Sequence, residues 1–255
     1  MNVDQIVVLV TGAASGLGAA SADRLHRCGA RVILADVNEE GAREKALELG
    51  NGARSLRLDV TSEESAQEAL ENIVKTEGSL HAVINCAGIL IGEKILGRDG
   101  VHDLGRFRRV IDVNLTGTFN MIRLAAQQMR QNEPNAEGER GVIVNTASIA
   151  AFEGQLGQSA YSASKAGIVG LTLPAARELA REGIRVCAIA PGIFDTAMIG
   201  GLPEKVRDAL GAQVPFPSRL GKPDEYAATV QHIIENPILN GETIRLDGAM
   251  RMAAR

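Results

Sequence analysis

The sequence predicts an α/β fold built on one parallel β-sheet with helices on both faces. Short apolar runs alternate with helical patterns over all 255 residues, and a glycine-rich turn links the first run to the first helical pattern. Six or seven strand–helix units of this kind imply parallel strands joined by right-handed crossovers. The sequence contains no linker-like, repeated or low-complexity stretch, so we expect a single domain over residues 1–255.

The individual elements follow from apolar runs of strand length and from apolar residues at helical spacing. Predicted strands cover residues 6–10, 31–35, 55–58, 82–84, 142–144, 186–189 and 243–246. Predicted helices include one that ends near residue 28 and others at 62–75, 104–129 and 160–181. In such a sheet the strand-to-helix loops share the edge where ligands bind. We therefore expect the residues at five strand ends to face one crevice: Gly12, Asp36, Asn85, Ser148 and Pro191.

The first turn has the sequence T-G-A-A-S-G-L-G at residues 11–18, between a predicted strand and a predicted helix. Glycines allow a tight turn and let a diphosphate approach the backbone at the helix N-terminus, where free N–H groups and the helix dipole favour anions. An isolated glycine-rich turn is often only a turn, but this position is typical of a dinucleotide site. The sheet is therefore predicted to be a Rossmann-type doubly wound sheet.

Asp36 ends the second predicted strand, 18 residues after Gly18. A carboxylate at this position accepts hydrogen bonds from the adenosine ribose hydroxyls and repels a 2′-phosphate, which favours NAD over NADP. The alternative is that Asp36 is the N-cap of the helix that begins near Asn38, because aspartate is a common capping residue.

Tyr161 and Lys165 stand four residues apart in Y-S-A-S-K, so a helix places them on one face. A cation about 4 Å away, at an effective dielectric constant of about 20, favours the phenolate by up to ~4 kcal/mol, or roughly 3 pKa units. Such a tyrosine is expected to exchange protons near neutral pH. Ser148 ends a predicted strand 13 residues earlier, so the three side chains are expected to converge on one substrate oxygen. An isolated Y-x-x-x-K pair is more often a solvated helix face.

Composition and charge exclude several function classes. The net charge of −4, the pI near 5.7 and the lack of a long basic run argue against nucleic acid or an anionic membrane as a partner. Three widely separated cysteines suggest buried apolar residues in a reducing compartment rather than disulfides, and the four histidines lack zinc-site spacing, so no metal is expected. No apolar segment is long enough to span a membrane, and the N-terminus lacks the pattern of a secretory leader. Only five residues precede the first predicted strand, so a cytoplasmic protein without a mitochondrial extension is expected.

Several motifs occur together and in a fixed order: the glycine-rich turn, N-C-A-G at residues 85–88, Asn114, Ser148 and Y-S-A-S-K. On this combination the chain resembles the short-chain dehydrogenase/reductase family over essentially its full length. The runs N-T-A-S-I-A-A-F-E-G-Q-L-G-Q-S-A-Y-S-A-S-K and Q-V-P-F-P-S-R-L-G-K-P-D-E-Y, and the ending E-N-P-I-L-N-G-E-T-I-R-L-D-G-A-M-R-M, are similar to a branch that acts on 3-hydroxyacyl-CoA esters. The resemblance implies an NAD-dependent oxidoreductase of fatty acid metabolism that interconverts 3-hydroxyacyl-CoA and 3-oxoacyl-CoA by hydride transfer.

The resemblance also implies roles for single residues. Tyr161 would be the general base, Ser148 would hydrogen-bond the reacting oxygen, and Lys165 would lower the tyrosine pKa and hold the nicotinamide ribose. Asn114 would hold a water in a proton relay to Lys165. The implied cofactor contacts are Gly12, Ser15, Leu17 and Gly18 at the phosphates, Asp59 and Val60 at the adenine, Ala87 and Gly88 at the adenosine side, and Pro191, Gly192 and Thr196 at the carboxamide.

Three of these residues have structural alternatives. Asn114 could instead cap or bend its helix, because asparagine competes for backbone hydrogen bonds. Asp59 could be the cap before Thr61 and Ser62, a use that is compatible with an adenine contact. Thr196 could be only a loop hydroxyl.

Two segments bear on the substrate. Residues 193–215 occupy the position of the family's substrate loop, and Phe194, Met198 and Ile199 at its start form an apolar set without an evident core strand. We expect this set to contact the acyl chain of the substrate. The segment 89–103 is longer than a usual connection and carries Lys94 and Arg98. We expect these two cations to bind the phosphates of a CoA ester at the crevice edge, although a solvated loop with incidental charges is the alternative.

The same residues bear on alternative activities and on the oligomeric state. A hydroxysteroid or other secondary-alcohol dehydrogenase is the nearest alternative, and Asp36 disfavours an NADPH-dependent 3-oxoacyl carrier-protein reductase. A non-catalytic dinucleotide-binding scaffold would be expected to lack one of the Ser148, Tyr161 and Lys165 side chains. The family implies a homotetramer, in line with two long helices whose apolar positions exceed one sheet face. The C-terminal strand at 242–246 and the tail at 250–252 are expected to add a second contact.

Overall fold

The computed structural model describes residues 1–98, 100–201 and 203–254, without the side chains of Ala197 and Met198. The strands are β1 (Val7–Thr11), β2 (Arg31–Asp36), β3 (Ala53–Arg57), β4 (Ala82–Asn85), β5 (Gly141–Thr146), β6 (Ile184–Pro191) and β7 (Thr243–Leu246). They form one sheet in the order β3-β2-β1-β4-β5-β6-β7, and each neighbouring pair is parallel. The predicted single-domain, doubly wound α/β fold is confirmed.

Helices cover both faces of this sheet, which is why its central strands are apolar without interruption. The helices are α1 (Gly16–Arg27), α2 (Glu39–Leu49), α3 (Glu63–Glu77), α4 (Leu104–Ile111), α5 (Gly117–Met129), α6 (Ser159–Leu179), α7 (Ala197–Gly200), α8 (Glu204–Gly211) and α9 (Pro223–Glu235). Apolar residues of α1, α2 and α9 pack with one face of the strands, and those of α3, α5 and α6 pack with the other. All residues of β1 and β6 are buried.

The predicted long helix at 104–129 is interrupted. A π-helical turn, Asp112–Thr116, lies between α4 and α5 and contains Asn114. Such turns widen a helix locally and often occur at functional sites. The apolar spacing continues across the turn, so the sequence predicts one helix where the structure has two and a wide turn between them. The other predicted long helix ends as α6 followed by a 3₁₀ turn, Ala180–Glu182.

The segment between β4 and α4 is folded against the loop that precedes α6. An antiparallel bridge pairs Leu96 with Val101, and the Glu93 N–H donates to the Gly157 carbonyl at 2.8 Å. Lys94 and Arg98 are exposed on this segment. The loop is therefore ordered by its own bridge and by the α6 loop, while its two cations point away from the core.

Phe194 packs against a core residue, although the sequence shows no core strand for it, and it lines the cavity together with Ile199. Its side chain is buried and meets the Tyr226 ring edge-to-face, with ring centroids 6.4 Å apart. The backbone at Gly221 leaves room for this ring, because an ideal Cβ there would lie 2.8 Å from the Phe194 ring carbons. Ile199 is partly exposed, and the predicted role of the Met198 side chain falls outside the described residues. Among the described residues, no helix has both the length and the apolar character of a membrane span.

Candidate active site

A cavity of about 1260 Å³ opens at the C-terminal edge of the sheet, where the strand order reverses between β1 and β4. Gly12, Asp36, Ser148 and Pro191 line it as predicted. Asn85 does not, so that prediction is wrong. The side chain of Asn85 lies on the same sheet face as Val83, two residues earlier, and its Nδ2 donates to Asn145 Oδ1 at 2.9 Å. The cavity is lined instead by the residues that follow, Cys86 to Gly88.

The glycine-rich turn brings three backbone segments into direct contact. Gly12 has a φ of +65°, and an ideal Cβ there would lie 2.7 Å from the Ala87 nitrogen. An ideal Cβ on Gly18 would lie 2.3 Å from the Gly12 carbonyl oxygen. Because neither position can hold a larger residue without moving backbone, the cavity ends in a backbone-lined cradle at the N-terminus of α1, which fits a dinucleotide diphosphate. Ser15, Leu17 and Gly18 line it.

The Asp36 carboxylate is fixed at the rim of this cradle. Its Oδ2 accepts a hydrogen bond from the Ala14 N–H at 3.0 Å, and its Oδ1 accepts one from the Asn38 N–H at 2.9 Å. Asn38 itself is the N-cap of α2, with its Oδ1 accepting from the Gly41 N–H. The capping alternative for Asp36 is therefore wrong. The carboxylate is a fixed negative charge on the cavity wall.

Asp59 and Val60 line the cavity beside Asp36, where an adenine contact is predicted. Asp59 Oδ1 accepts from the N–H and the hydroxyl of Thr61 at 3.0 and 2.7 Å. The N-cap of α3 is Ser62, whose hydroxyl accepts from the Ser65 N–H. Asp59 is thus a turn-forming residue three positions before the cap, and the capping alternative is wrong for it as well.

Ser148, Tyr161 and Lys165 line the same cavity at its other end. Ser148 lies two residues after the end of β5, and its hydroxyl accepts from the Ala150 N–H at 3.1 Å, which fixes the side chain. Lys165 is 4% exposed. Its Nζ donates to the Thr146 carbonyl at 2.6 Å and lies 5.8 Å from the centroid of the Tyr161 ring. The predicted convergence of hydroxyl, phenol and ammonium is present.

Burial dominates the protonation of this group. It lowers the pKa of Lys165 to about 8. It raises the pKa of Tyr161 above its ordinary value, and the neighbouring Ser148 hydroxyl opposes that shift. The direction of the Tyr161 shift is therefore opposite to the one expected from Lys165, because burial disfavours the charged phenolate. At neutral pH the pair consists of a neutral phenol, ready to donate a proton, and a lysine that is largely charged.

Asn114 is completely buried and does not line the cavity. Its Oδ1 accepts from the Ile89 N–H at 2.8 Å, and its Nδ2 donates to the Ile89 carbonyl at 2.9 Å and to the Ser164 hydroxyl at 3.0 Å. The side chain therefore joins the loop after β4 to α6 and does not cap its own helix. An ideal Cβ on Gly88 would lie 3.2 Å from Asn114 Oδ1 and 3.5 Å from Lys165 Nζ. Asn114 and Lys165 thus flank the same glycine.

The loop after β6 closes the cavity opposite the glycine-rich turn. Pro191, Gly192 and Thr196 line it, and the Gly192 N–H donates to the Leu246 carbonyl at 2.9 Å. An ideal Cβ on Gly16 would lie 3.5 Å from Thr196 Cβ. Thr196 thus lies beside the first turn of α1, and the predicted carboxamide contact of its hydroxyl stays a prediction.

Several cavity residues are missing from the sequence-based set. They are Arg108 and Arg109 at the end of α4, Thr146 before Ser148, Gln155 and Gln158 before α6, and Met252 in the tail. Lys94 and Arg98, which the sequence suggested for this rim, do not line the cavity. The adjacent arginines of α4 are visible in the sequence as a basic pair, but a helix surface gives no sign of which face meets the cavity. Met252 carries no local signal.

The C-terminal tail packs on its own chain. Arg245 donates to both carboxylate oxygens of Glu153 at 2.8 and 2.9 Å and to Asp247 at 2.7 Å, and Arg245 holds the pKa of Glu153 below its usual range. Met250 is 2% exposed and packs with Ile149, the residue after Ser148. The prediction that Met250 forms an intersubunit contact is therefore wrong, because that side chain belongs to the core behind the site.

Three comparisons with known proteins agree with this geometry. The family model described as short chain dehydrogenase matches residues 6–207. The chain is 56% identical over 253 residues to 3-hydroxyacyl-CoA dehydrogenase type-2 of Homo sapiens, covering 98% of this chain and 97% of the relative. It is 54% identical over 252 residues to the protein of the same name in Drosophila melanogaster, covering 98% and 99%. The crystal structure of 3-hydroxyacyl-CoA dehydrogenase type-2 from Mycobacterium avium matches with a TM-score of 0.93 at 42% identity, covering 98% and 97%.

Proposed function

The chain belongs to the short-chain dehydrogenase family, and we propose that it is the NAD-dependent enzyme that interconverts 3-hydroxyacyl-CoA and 3-oxoacyl-CoA. Membership makes it an oxidoreductase that acts on a CH–OH group with a nicotinamide dinucleotide. The observation that carries the proposal is one cavity with a diphosphate cradle at one end and Ser148, Tyr161 and Lys165 at the other. The names of the relatives supply the substrate class.

In the proposed mechanism the nicotinamide supplies the hydride acceptor or donor, and the protein supplies position and proton transfer. Ser148 hydrogen-bonds the substrate oxygen. Tyr161 takes the hydroxyl proton in oxidation and returns it in reduction, and the neutral phenol favoured by burial is the form that reduction needs. Lys165 favours the phenolate that oxidation needs. Asn114 would hold a water in the proton relay that leads to Lys165. The cofactor would be held by Gly12, Ser15, Leu17, Gly18, Asp36, Asp59, Val60, Ala87, Gly88, Pro191, Gly192 and Thr196.

The substrate class is tested by steady-state kinetics. With NADH we expect kcat/KM for acetoacetyl-CoA to exceed that for a ketosteroid and for a simple uncharged ketone, since the CoA moiety adds binding energy that the small ketone lacks. The measurement is NADH oxidation followed at equal enzyme concentration for the three substrates. A higher value for the ketosteroid would favour the hydroxysteroid alternative, and turnover of none of them would favour the scaffold alternative.

We propose that Arg108 and Arg109 are the cationic partners of the CoA phosphates, in place of Lys94 and Arg98. Both line the cavity and are exposed to solvent, and in the described part of the chain neither forms an ion pair with a carboxylate. Arginine is well suited to phosphate because its guanidinium donates two parallel hydrogen bonds. The rim of the site thus offers a fixed helical platform for the anionic end of the substrate.

Reversing both charges with Arg108→Glu and Arg109→Glu is expected to raise KM for acetoacetyl-CoA about tenfold, with little change for an uncharged ketone. The matched control is Lys94→Glu with Arg98→Glu, which makes the same charge change on a loop outside the cavity. A similar rise in both double variants would point to long-range attraction rather than a contact. A rise in the control alone would restore the loop pair as the phosphate site.

We also propose a homotetramer. Large apolar side chains remain exposed on the helices of one sheet face, with Leu104 at 59%, Phe119 at 54% and Leu173 at 42%. Exposed apolar positions on α4, α5 and α6 are typical of an interface between identical subunits. Light scattering at micromolar concentration is expected to give four times the 26.9 kDa subunit mass. Replacement of Phe119 by aspartate is expected to lower the measured mass, and a stable wild-type monomer would contradict the proposal.

A further inference from the structure

Tyr226 is the largest fully buried side chain among the described residues, although it carries a hydroxyl. It lies on α9, on the sheet face opposite α6, the helix of Tyr161 and Lys165. It does not line the active-site cavity. Burying a hydroxyl is unfavourable unless it is hydrogen-bonded, so the partners of this group indicate what it does.

The hydroxyl of Tyr226 takes part in a chain of hydrogen bonds whose direction can be assigned. Tyr226 Oη lies 2.7 Å from Thr146 Oγ1, and Thr146 Oγ1 lies 2.7 Å from the Asn85 carbonyl oxygen. Each hydroxyl has a single proton, and a carbonyl can only accept. Thr146 therefore donates to Asn85, and Tyr226 donates to Thr146. The Cys86 thiol, 3.9 Å from Tyr226 Oη, can donate to it at the start of the chain.

These hydrogen bonds fix Thr146 at the point where the backbone ladder between β4 and β5 ends. The β4–β5 ladder ends with Asn85 opposite Asn145, so Thr146 is one residue beyond the last pair. Its side-chain bond to the Asn85 carbonyl continues the link between the two strands. Thr146 lines the cavity, and the Tyr226 hydroxyl, which does not, bonds to its side chain.

Thr146 also provides the main-chain carbonyl that accepts the Lys165 ammonium at 2.6 Å. Side chain and carbonyl belong to one residue, so whatever holds the hydroxyl also restricts the carbonyl. The ring of Tyr226 contacts Phe194 edge-to-face at 6.4 Å, and Phe194 belongs to the loop that closes the cavity. Tyr226 thus contacts two residues that line the site, Thr146 and Phe194.

We propose that Tyr226 is a positioning residue that acts on Lys165 through Thr146, a role that rests on the proposed catalytic function of Lys165 and Tyr161. The hydrogen bond keeps the Thr146 carbonyl in place, and the carbonyl keeps the ammonium beside the Tyr161 ring. When the ammonium is held less firmly, it favours the phenolate less. Alcohol oxidation, which needs the phenolate, then requires a higher pH.

The test removes only the hydroxyl, with Tyr226→Phe, which keeps the ring and its contact with Phe194. We expect kcat for alcohol oxidation to fall about tenfold and the acidic limb of its pH profile to move upward by roughly one pH unit. Thr146→Val also removes the bond to the Asn85 carbonyl, so it is expected to shift the limb at least as far. The double variant is expected to be no worse than Thr146→Val alone, because that variant already lacks the Tyr226–Thr146 bond. If the losses in kcat of the two single variants add fully in the double variant, the two residues do not act through one chain of hydrogen bonds, and the inference fails.

Val230→Ala is the matched control, because Val230 lies one turn further along α9 and is buried in the same core cluster. It is expected to lower Tm without moving the pH profile. If Tyr226→Phe also lowers Tm while its acidic limb stays where the wild-type limb is, Tyr226 has only a packing role and the inference fails.

A second measurement needs no substrate, so it separates this inference from the proposed function. Reductive methylation of the Lys165 amine, followed by mass spectrometry of its peptide, is expected to be several-fold faster in Tyr226→Phe than in wild type, because a less firmly held amine is more accessible. Val230→Ala is expected to match the wild-type rate. An unchanged rate in Tyr226→Phe overturns the inference even if the wild-type enzyme turns over acyl-CoA esters. A faster rate supports it even if another alcohol proves to be the substrate.

Discussion

Replacing Tyr161 with phenylalanine is expected to lower kcat by about 10²–10⁴-fold, the range that a positioned proton donor or acceptor contributes. The substitution removes one oxygen atom and keeps the ring, so the cavity wall and the approach of the Lys165 ammonium to the ring remain. The Kd for NADH, measured by fluorescence titration, is expected to change little. A loss of this size in kcat with a preserved Kd assigns the phenol to the chemical step.

Lys165→Ala provides the comparison, because it removes a group with two proposed tasks. The lysine is proposed to favour the phenolate and to hold the nicotinamide ribose, so both kcat and the Kd for NADH are expected to worsen. A Tyr161→Phe enzyme that keeps most of its activity would remove Tyr161 from the mechanism. A Lys165→Ala enzyme with weakened cofactor binding but normal kcat would restrict the lysine to binding.

Much of the fold could be predicted from the sequence, because a parallel sheet covered on both faces needs strands that are apolar throughout. The run before Thr11 and the run before Ser148 were recognisable for this reason, and so was the crevice at their ends. The π-helical turn around Asn114 was not, because apolar spacing is nearly the same on either side of one inserted residue. Its consequence is local but important, since it lies where Asn114 bonds to Ile89 and Ser164.

The site residues divide in a similar way. Tyr161, Lys165, Ser148 and Asp36 follow from spacing within one element or from the end of a strand. The position of Phe194 depends on Tyr226 and Gly221, which lie more than 25 residues away in sequence. The residues around Phe194 do not indicate that α9 packs against it. Tyr226 could not be predicted for the same reason. Its partner Thr146 is 80 residues away in sequence, on β5, and bonds in turn to Asn85 on β4.

The wild-type enzyme is expected to prefer NADH over NADPH by at least about 100-fold in kcat/KM. Asp36 is held by the N–H groups of Ala14 and Asn38, so its carboxylate cannot swing away from a 2′-phosphate. Two like charges about 4 Å apart repel by up to ~4 kcal/mol at an effective dielectric constant of about 20, and 1.4 kcal/mol is about a factor of ten. The measurement is kcat/KM for each cofactor at one fixed ketone concentration and at low and high salt.

Asp36→Asn isolates the charge, because it keeps the size of the side chain and one acceptor oxygen for the backbone donors. It is expected to reduce the preference for NADH to about tenfold or less, mainly by improving use of NADPH. Asp59→Asn is the matched control: Asp59 also lines the cavity, but its carboxylate is bonded to Thr61 and is proposed to contact the adenine. Its preference is expected to stay near that of wild type. Equal efficiency of the wild-type enzyme with both cofactors would reject Asp36 as the selecting residue. An equal loss of preference in both variants would mean that the net charge at the rim, and not the fixed carboxylate of Asp36, determines the preference for NADH over NADPH.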